Sequence, residues 1–339
     1  MRSTLPPPPA LPPHVDARSS ALPPPPPRPG RDHTSTGRRL WRAAHIAAIL
    51  GALGAGLYLG LEGAGAIVAL FVLVVPFEKL FRRHDQRIGR PGLRTDLTYA
   101  LVSPVLNVAQ VVVGLGLALV VFPLWVPMLL LRPLVTAQPG WVMAVESVIL
   151  LDILIYWAHR LGHEIGFFWR FHSIHHSSER MDWISGIRVH PFDGVFIVVP
   201  AVMLVAAGFQ LEVVGAAAVV QTILGLFAHA NVRWRLRPLH RVVMTPEFHH
   251  WHHSNTPESI HSNYSVFLPL WDMVWGTYYM PADRRPEVYG NGEATPPSVP
   301  GQMLAPFRRP LRDRYPFPPA WRARLARLVP FRRRRSLAS

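Results

Sequence analysis

The chain has 339 residues, half of them hydrophobic and 16% charged, with 35 Lys+Arg against 20 Asp+Glu for a formal charge of +15. It contains no cysteine, which excludes a disulfide scaffold, an iron–sulfur cluster, a thiolate nucleophile and a covalent c-type haem. A mean hydropathy of +0.18, with arginines set between long apolar runs, points to a membrane protein rather than a soluble nucleic-acid binder, which would need a reading motif or an aromatic-interleaved basic platform.

Residues 1–40 form a Pro-rich arm. Twelve of the 36 prolines fall within its first 36 positions, a composition that favours polyproline II and has almost nothing apolar to bury, so disorder is expected. Apolar stretches then follow in series. Positions 43–61 predict a first span and 63–77 a shorter return leg. Positions 97–131 run 35 residues without a charge. That exceeds the roughly 20 residues a span needs, so one span plus an interfacial extension is expected, kinked or ended by Pro104, Pro123 and Pro127. Positions 141–157 predict a further span, although it carries Glu146 and Asp152. Positions 195–211 and 213–232 predict a second tight pair, hinged around Gln210 to Glu212.

Arginine placement sets the expected orientation. With the N-terminus inside, seven basic residues lie in 1–43, six in 79–96, four in 159–191 and seventeen in 229–339, leaving Arg132 alone outside. The expected fold is all-α: a polytopic membrane helical bundle of about six spans, with both termini and a histidine-rich helical cap on the cytoplasmic side. The membrane domain is placed at 41–280. Residues 281–339 are expected to be a basic, largely disordered cytoplasmic tail, whose Arg332 to Arg335 would meet anionic headgroups at about 1 kcal/mol per charge.

The chemistry lies in the histidines. Three clusters stand just after predicted spans, all on the inner side: His159 with His163, His172 with His175 and His176, and His249 with His250, His252 and His253. In a helix, residues i, i+3 and i+4 share a face, so each HxxxH or HxxHH set can present its imidazoles together. His250 falls outside that spacing. Imidazole suits iron, zinc, copper and nickel, and eight such ligands exceed one tetrahedral zinc. They fit two metal ions with open coordination positions. Asp152, Tyr156, His159 and His163 lie on one helical face at spacings of 4, 3 and 4. An acid inside a span is costly and tends to serve a site, so Asp152 is expected to accept the second N–H of a ligand histidine. Glu164, directly after His163, is the other candidate catalytic carboxylate. The zinc-protease pattern HExxH is excluded, because Phe167 stands where its second histidine would be. His190, in Val-His-Pro, and His229, at the inner end of a span, are left open as further ligands.

At these residues the chain resembles the fatty acid hydroxylase/sterol desaturase superfamily, which carries HxxxH, HxxHH and HxxHH boxes in this order. The flanks match as well: Tyr156-Trp157-Ala158-His159-Arg160, the HSIHHSS of His172 to Ser178, the RVHP of Arg188 to Pro191, the FAHAN of Phe227 to Asn231, TPEFHHWHH of Thr245 to His253, Asn263-Tyr264, and Trp271-Asp272 through Gly276-Thr277-Tyr278. The resemblance covers roughly residues 95–280. His163-Glu164 and the HSIHHSSE stretch look like the alkylglycerol monooxygenase branch. The resemblance implies a membrane-embedded helical enzyme with a diiron centre, using O2 and two electrons to hydroxylate a C–H bond of a membrane lipid, or to desaturate a lipid or sterol on the same site. By it, the eight box histidines carry over as metal ligands, with His229 a ninth, and zinc is expected to substitute for iron in purified protein. With no cysteine and no GxGxxG motif, the chain needs a separate electron donor: a ferredoxin, a cytochrome or a reductase. A metal transporter or sensor with His-rich loops is the rival from another class. It would need polar residues strung through the spans, and only the fourth span carries them.

Overall fold

The computed structural model describes residues 72 and 74–308 of the chain. The predicted 1–40 arm, the 43–61 span, most of the 63–77 leg and the arginine-rich 309–339 segment lie outside them. The described residues are helical, and no β-structure among them exceeds two isolated bridges, Arg82–Val232 and Ser254–Tyr289. Residues 74–80, where that leg would end, are helical.

Helix α1, Leu93–Val120, has 28 residues, about 42 Å at 1.5 Å per residue and ample for a hydrocarbon core of about 30 Å. It starts at Gly92, whose φ of 83° is open to glycine at no steric cost, and a Cβ there would come within 2.8 Å of the Arg188 guanidinium. Pro104 lies inside α1 without ending it. The chain turns at Val121, and the following segment α2, Phe122–Thr136, is three short helical pieces in succession. Each has a proline in its first turn, where the missing N–H costs nothing. Its leucines and phenylalanine are largely exposed, as the expected interfacial extension requires.

Helix α3, Gly140–Glu164, follows Pro139 and runs 25 residues. After the short α4, Gly166–His172, come α5, Val195–Ala207, and α6, Leu211–Ala228, turned on each other through Gly208 at φ 109°. The expected pair is present, but α5 has only 13 residues, about 20 Å, too short to cross alone. Among the described residues three helices are long and apolar enough to cross a membrane: α1, α3 and α6. Their outer faces carry exposed side chains such as Leu101, Val105, Leu119 and Val219, while Asp96 and Asp152 are fully buried. That is the inside-out pattern a lipid solvent demands. Val135, Met143, Leu151, Ile155, Leu204, Phe209, Val214 and Ala217 fill the core where α3, α5 and α6 meet.

The rest is a polar layer at one end of these helices. It holds α4, the one-turn helices His175–Ser177, Trp183–Ile187 and Pro191–Gly194, then α7, Pro246–His252, α8, Leu270–Trp275, and α9, Val299–Arg308. Buried ion pairs brace the layer against α1. Arg90 reaches Asp96 at 2.7 Å and Asp182 at 2.5 Å, and Arg188 also binds Asp96. Removing one partner of such a set leaves an unpaired buried charge, at a cost of about 3–5 kcal/mol.

The expected disordered tail from 281 needs correction over 281–308. Tyr289 is buried and its hydroxyl meets His84 Nε2 at 2.8 Å; Asn291 donates to the Ser173 carbonyl at 2.7 Å; Gln302 on α9 accepts from the Tyr99 hydroxyl at 2.8 Å. Composition gives no hint of this, because these are single polar anchors rather than an apolar run.

Candidate metal centre

All nine predicted ligands converge, in two groups. His159, His163, His172, His176 and His252 form one; His175, His229, His249 and His253 form the other. Within each, one ring nitrogen per residue lies within 4.8 Å of those of all the others. His176 and His253, one from each group, stack at 4.1 Å between centroids, so the groups adjoin. His159 and His163 project together from the last turns of α3, as their i, i+4 spacing predicts. The two HxxHH boxes behave differently from expectation. Each is divided: His172 and His176 go to the five-histidine group and His175 to the other, while His252 separates from His249 and His253. The reason is local. Helix α4 ends at His172 and the chain tightens into a 3-10 turn at His175, and consecutive residues of α7 point about 100° apart.

Second hydrogen bonds fix the tautomers. His159 Nδ1 lies 2.8 Å from the Tyr264 carbonyl, His175 Nδ1 3.1 Å from that of Arg188, His229 Nδ1 2.7 Å from that of Gly225 and His252 Nδ1 2.8 Å from that of Ser262. A carbonyl only accepts, so each Nδ1 carries the hydrogen and each Nε2 presents a lone pair. His172 Nδ1 faces the Asp193 carboxylate at 3.4 Å and is oriented the same way. The inward nitrogens then stand too close for neutral rings alone. His159 Nε2 and His172 Nε2 are 3.1 Å apart; His229 Nε2 lies 3.1 Å from His253 Nε2 and 3.2 Å from His249 Nε2. No hydrogen is available to bridge His159 and His172, and the single Nε2 lone pair of His229 can accept from at most one of the two rings, His249 and His253, that face it. Two nitrogens each about 2.0–2.1 Å from one ion are roughly 3 Å apart at right angles, so a cation in each group satisfies the spacing. Further buried nitrogens, Nε2 of His163, His176 and His252 and Nδ1 of His249, have no protein partner. Each would cost about 1–3 kcal/mol unless a ligand is taken up. The donor set therefore fits two imidazole-loving metal ions.

Electrostatics agree. Burial, with neighbouring imidazoles adding to it, holds His175, His176, His249 and His253 well below the ordinary histidine range. Burial likewise lowers His252 to about 3. These rings are neutral at physiological pH, the state a metal needs.

The predicted carboxylates lie elsewhere. Asp152 hydrogen-bonds elsewhere than to a histidine: its oxygens accept the backbone N–H groups of Phe267 and Leu268, each at 2.9 Å, and Trp271 Nε1 at 2.8 Å. It ties α3 to the segment leading into α8. Seven residues before His159 and eleven before His163, about two and three turns along α3, it stands away from the far nitrogen of His159, which the Tyr264 carbonyl holds. Glu164 binds Arg160 Nε at 2.9 Å, and Arg160 in turn donates to the Tyr156 hydroxyl at 3.1 Å. The carboxylate that does face a ligand ring is Asp193. It also caps the Pro191–Gly194 turn, accepting the His190 N–H at 2.8 Å. His190 belongs to neither group; its Nε2 turns to the Met303 carbonyl at 3.2 Å. His250 is fully buried but faces away from both groups, with Nε2 3.3 Å from the His229 carbonyl and Nδ1 3.3 Å from Arg83.

A cavity of about 190 Å³ touches both groups. His159 and His172 of the first and His175, His229 and His249 of the second reach it. Its other walls are largely apolar, Ile155, Phe196, Ile197 and Leu226 among them, with Gln110, Asp193, Gln221 and Thr222 as polar members. Close packing holds the wall in place: a Cβ on Gly186 would come within 2.8 Å of His229 Nδ1.

Residues 141–277, which hold every one of the nine histidines, match the sequence profile of the family described as fatty acid hydroxylase. The chain is 33% identical over 231 residues to ornithine lipid hydroxylase OlsE of Rhizobium tropici, an alignment covering 64% of this chain and 65% of that protein. It is 29% identical over 149 residues to alkylglycerol monooxygenase of Caenorhabditis elegans, covering 41% of this chain and 27% of that one. It is 30% identical over 141 residues to very-long-chain aldehyde decarbonylase GL1-6 of Oryza sativa subsp. indica, covering 38% and 21%. The chain thus spans less than two thirds of the length of each of these relatives. No solved structure matches it.

Proposed function

We propose, for a chain whose residues 141–277 are a fatty acid hydroxylase domain, that it is an O2-dependent diiron oxidoreductase hydroxylating a C–H bond of a membrane lipid. The observation that carries this reading is the shared cavity. Histidines of two separate groups meet in one small, largely apolar space among helices whose outer faces are apolar. A metal transporter needs a polar path; a site for an alkyl chain needs an apolar wall ending at the metals.

Iron held in the two groups would supply O2 activation and abstraction of hydrogen from a substrate C–H. The chain's own residues set the conditions. The backbone carbonyls of Tyr264, Arg188, Gly225 and Ser262 keep the four imidazoles they bind in the metal-binding tautomer, and Asp193 does the same for His172. Ile155 and Phe196, both buried, keep bulk water from the inward nitrogens and bring a C–H rather than a polar group against them. The Arg160–Glu164 pair and Asp152 hold the α3 end and the segment behind it in register. Electrons would come from a separate carrier, a ferredoxin, cytochrome or reductase, on the cytoplasmic side where the arginines hold the histidine layer.

Relatives are named ornithine lipid hydroxylase and alkylglycerol monooxygenase, and the largely apolar wall beside the histidines suits an alkyl chain. An alkyl-chain lipid is therefore the proposed substrate class. Lipid profiling of cells with and without the gene, grown under labelled O2, tests this. The expected result is a lipid that gains one labelled oxygen atom only when the gene is present. A lipid that instead loses two hydrogens would make the enzyme a desaturase, and no change in any lipid would reject the reading.

A further inference from the structure

The cavity has one soft wall. Most of its sides are set by filled side chains, but on α6 it is lined by Gly225, and a Cβ built on Gly225 meets no atom within 4 Å. A missing side chain there leaves open space rather than a close contact, unlike Gly186, Gly194 and Gly162, where a Cβ would strike a neighbour at 2.8, 2.2 and 2.5 Å. Gly225 sits one turn before His229 and its carbonyl holds His229 Nδ1, so this gap is at the four-histidine group itself. The neighbouring lining residues Thr222 on α6 and Ile197 on α5 are exposed on the outer surface of those helices. The cavity therefore continues from the histidines, past Gly225, to a face of the molecule lined by apolar helices.

We propose that Gly225 sets the bore of a lateral entrance, and that what passes it is one unbranched alkyl chain drawn sideways from the bilayer. This rests on the lipid-hydroxylase reading and narrows it. The volume, about 190 Å³, is below the roughly 300–1,000 Å³ of pockets that enclose whole drug-sized ligands. That volume suits a chain segment with the head left outside. Glycine in a helix interior is otherwise unfavourable, so a position that keeps it next to open space trades helix stability for room.

The test uses full-length protein loaded with zinc and cis-parinaric acid in mixed micelles as the probe, read by fluorescence, so that binding is measured apart from turnover. Gly225→Ala removes a poor helix former and clashes with nothing, so it is expected to fold, and its single added methyl should weaken probe binding less than Gly225→Phe does. Gly225→Phe is expected to weaken binding by about tenfold or more at unchanged zinc content. Ile197→Trp, which narrows the same mouth from α5 and touches no histidine, should do likewise and decides the matter should Gly225→Phe lose metal. Val219→Phe, on the exposed outer face of α6, should leave binding unaltered. Parent-like probe binding by both Gly225→Phe and Ile197→Trp overturns the proposal. Tight, bore-dependent binding in a protein that oxidises no lipid would instead reject the hydroxylase reading and leave the entrance standing.

Discussion

The two histidine groups differ in how they are built and in what they face. The five-histidine group draws on the end of α3 and on both HxxHH boxes, and all its members are buried. Only two of them, His159 and His172, reach the cavity. The four-histidine group takes one residue from the second box, two from the third and His229 from just beyond α6; His175 is half-buried, and three of its four members line the cavity. One group is enclosed and rich in ligands, the other has fewer ligands and more access. On the proposed reading, the first group would anchor its metal with a full ligand set, and the second would offer the open coordination position and face the substrate chain.

Removing a ligand from either group is the most severe way to break that comparison. His163→Ala and His253→Ala should each abolish lipid oxidation, yet each should leave about one metal per chain in folded protein, because the other group is intact. Loss of both metals from either variant would show one mixed site in place of two. Asp193→Asn should be milder. It weakens the carboxylate behind His172 and should lower metal affinity of the five-histidine group by about 10–100-fold, measured by competition with a chelator, while the four-histidine group keeps its metal. Asp152→Asn should do least at the centre. Both metals should remain, while the loss of a buried carboxylate acceptor for three N–H groups lowers stability by about 1–3 kcal/mol, seen as a lower thermal midpoint. Metal loss at intact fold would return Asp152 to the role its position in α3 first implies.

The same contrast shows what a sequence can disclose. The eight box histidines are legible because their i, i+3 and i+4 spacing beside apolar runs marks shared helical faces, and because HxxxH and HxxHH boxes in order carry a family resemblance; His229, outside any box, is left open by the sequence and joins the second group only in the structure. The helical class is legible from the uncharged runs. The division of each HxxHH box is not, since it depends on α4 ending at His172 and on which way α7 rolls. Nor are the carbonyls of Tyr264, Arg188, Gly225 and Ser262, because a backbone acceptor leaves no side-chain signature. Asp152 misleads for a related reason. Helical spacing places it on the histidine face of α3, but its oxygens are claimed by N–H groups more than a hundred positions away. Asp193, the carboxylate that does face a ligand, sits in a one-turn helix with no periodicity to mark it; the adjoining Arg188 to Pro191 motif is its one signal. Span length is legible only in part: 195–211 reads as a crossing segment by apolarity, yet its helix stops at Ala207 because Gly208 turns the chain toward α6.

The most direct measurement is the metal content of the full-length protein purified from iron-fed cells, compared with protein concentration by amino-acid analysis. Two transition-metal ions per folded chain, iron or iron replaced by zinc, is the value the two histidine groups predict. A stoichiometry of one or less in protein that remains folded would contradict the dinuclear centre and with it the proposed chemistry.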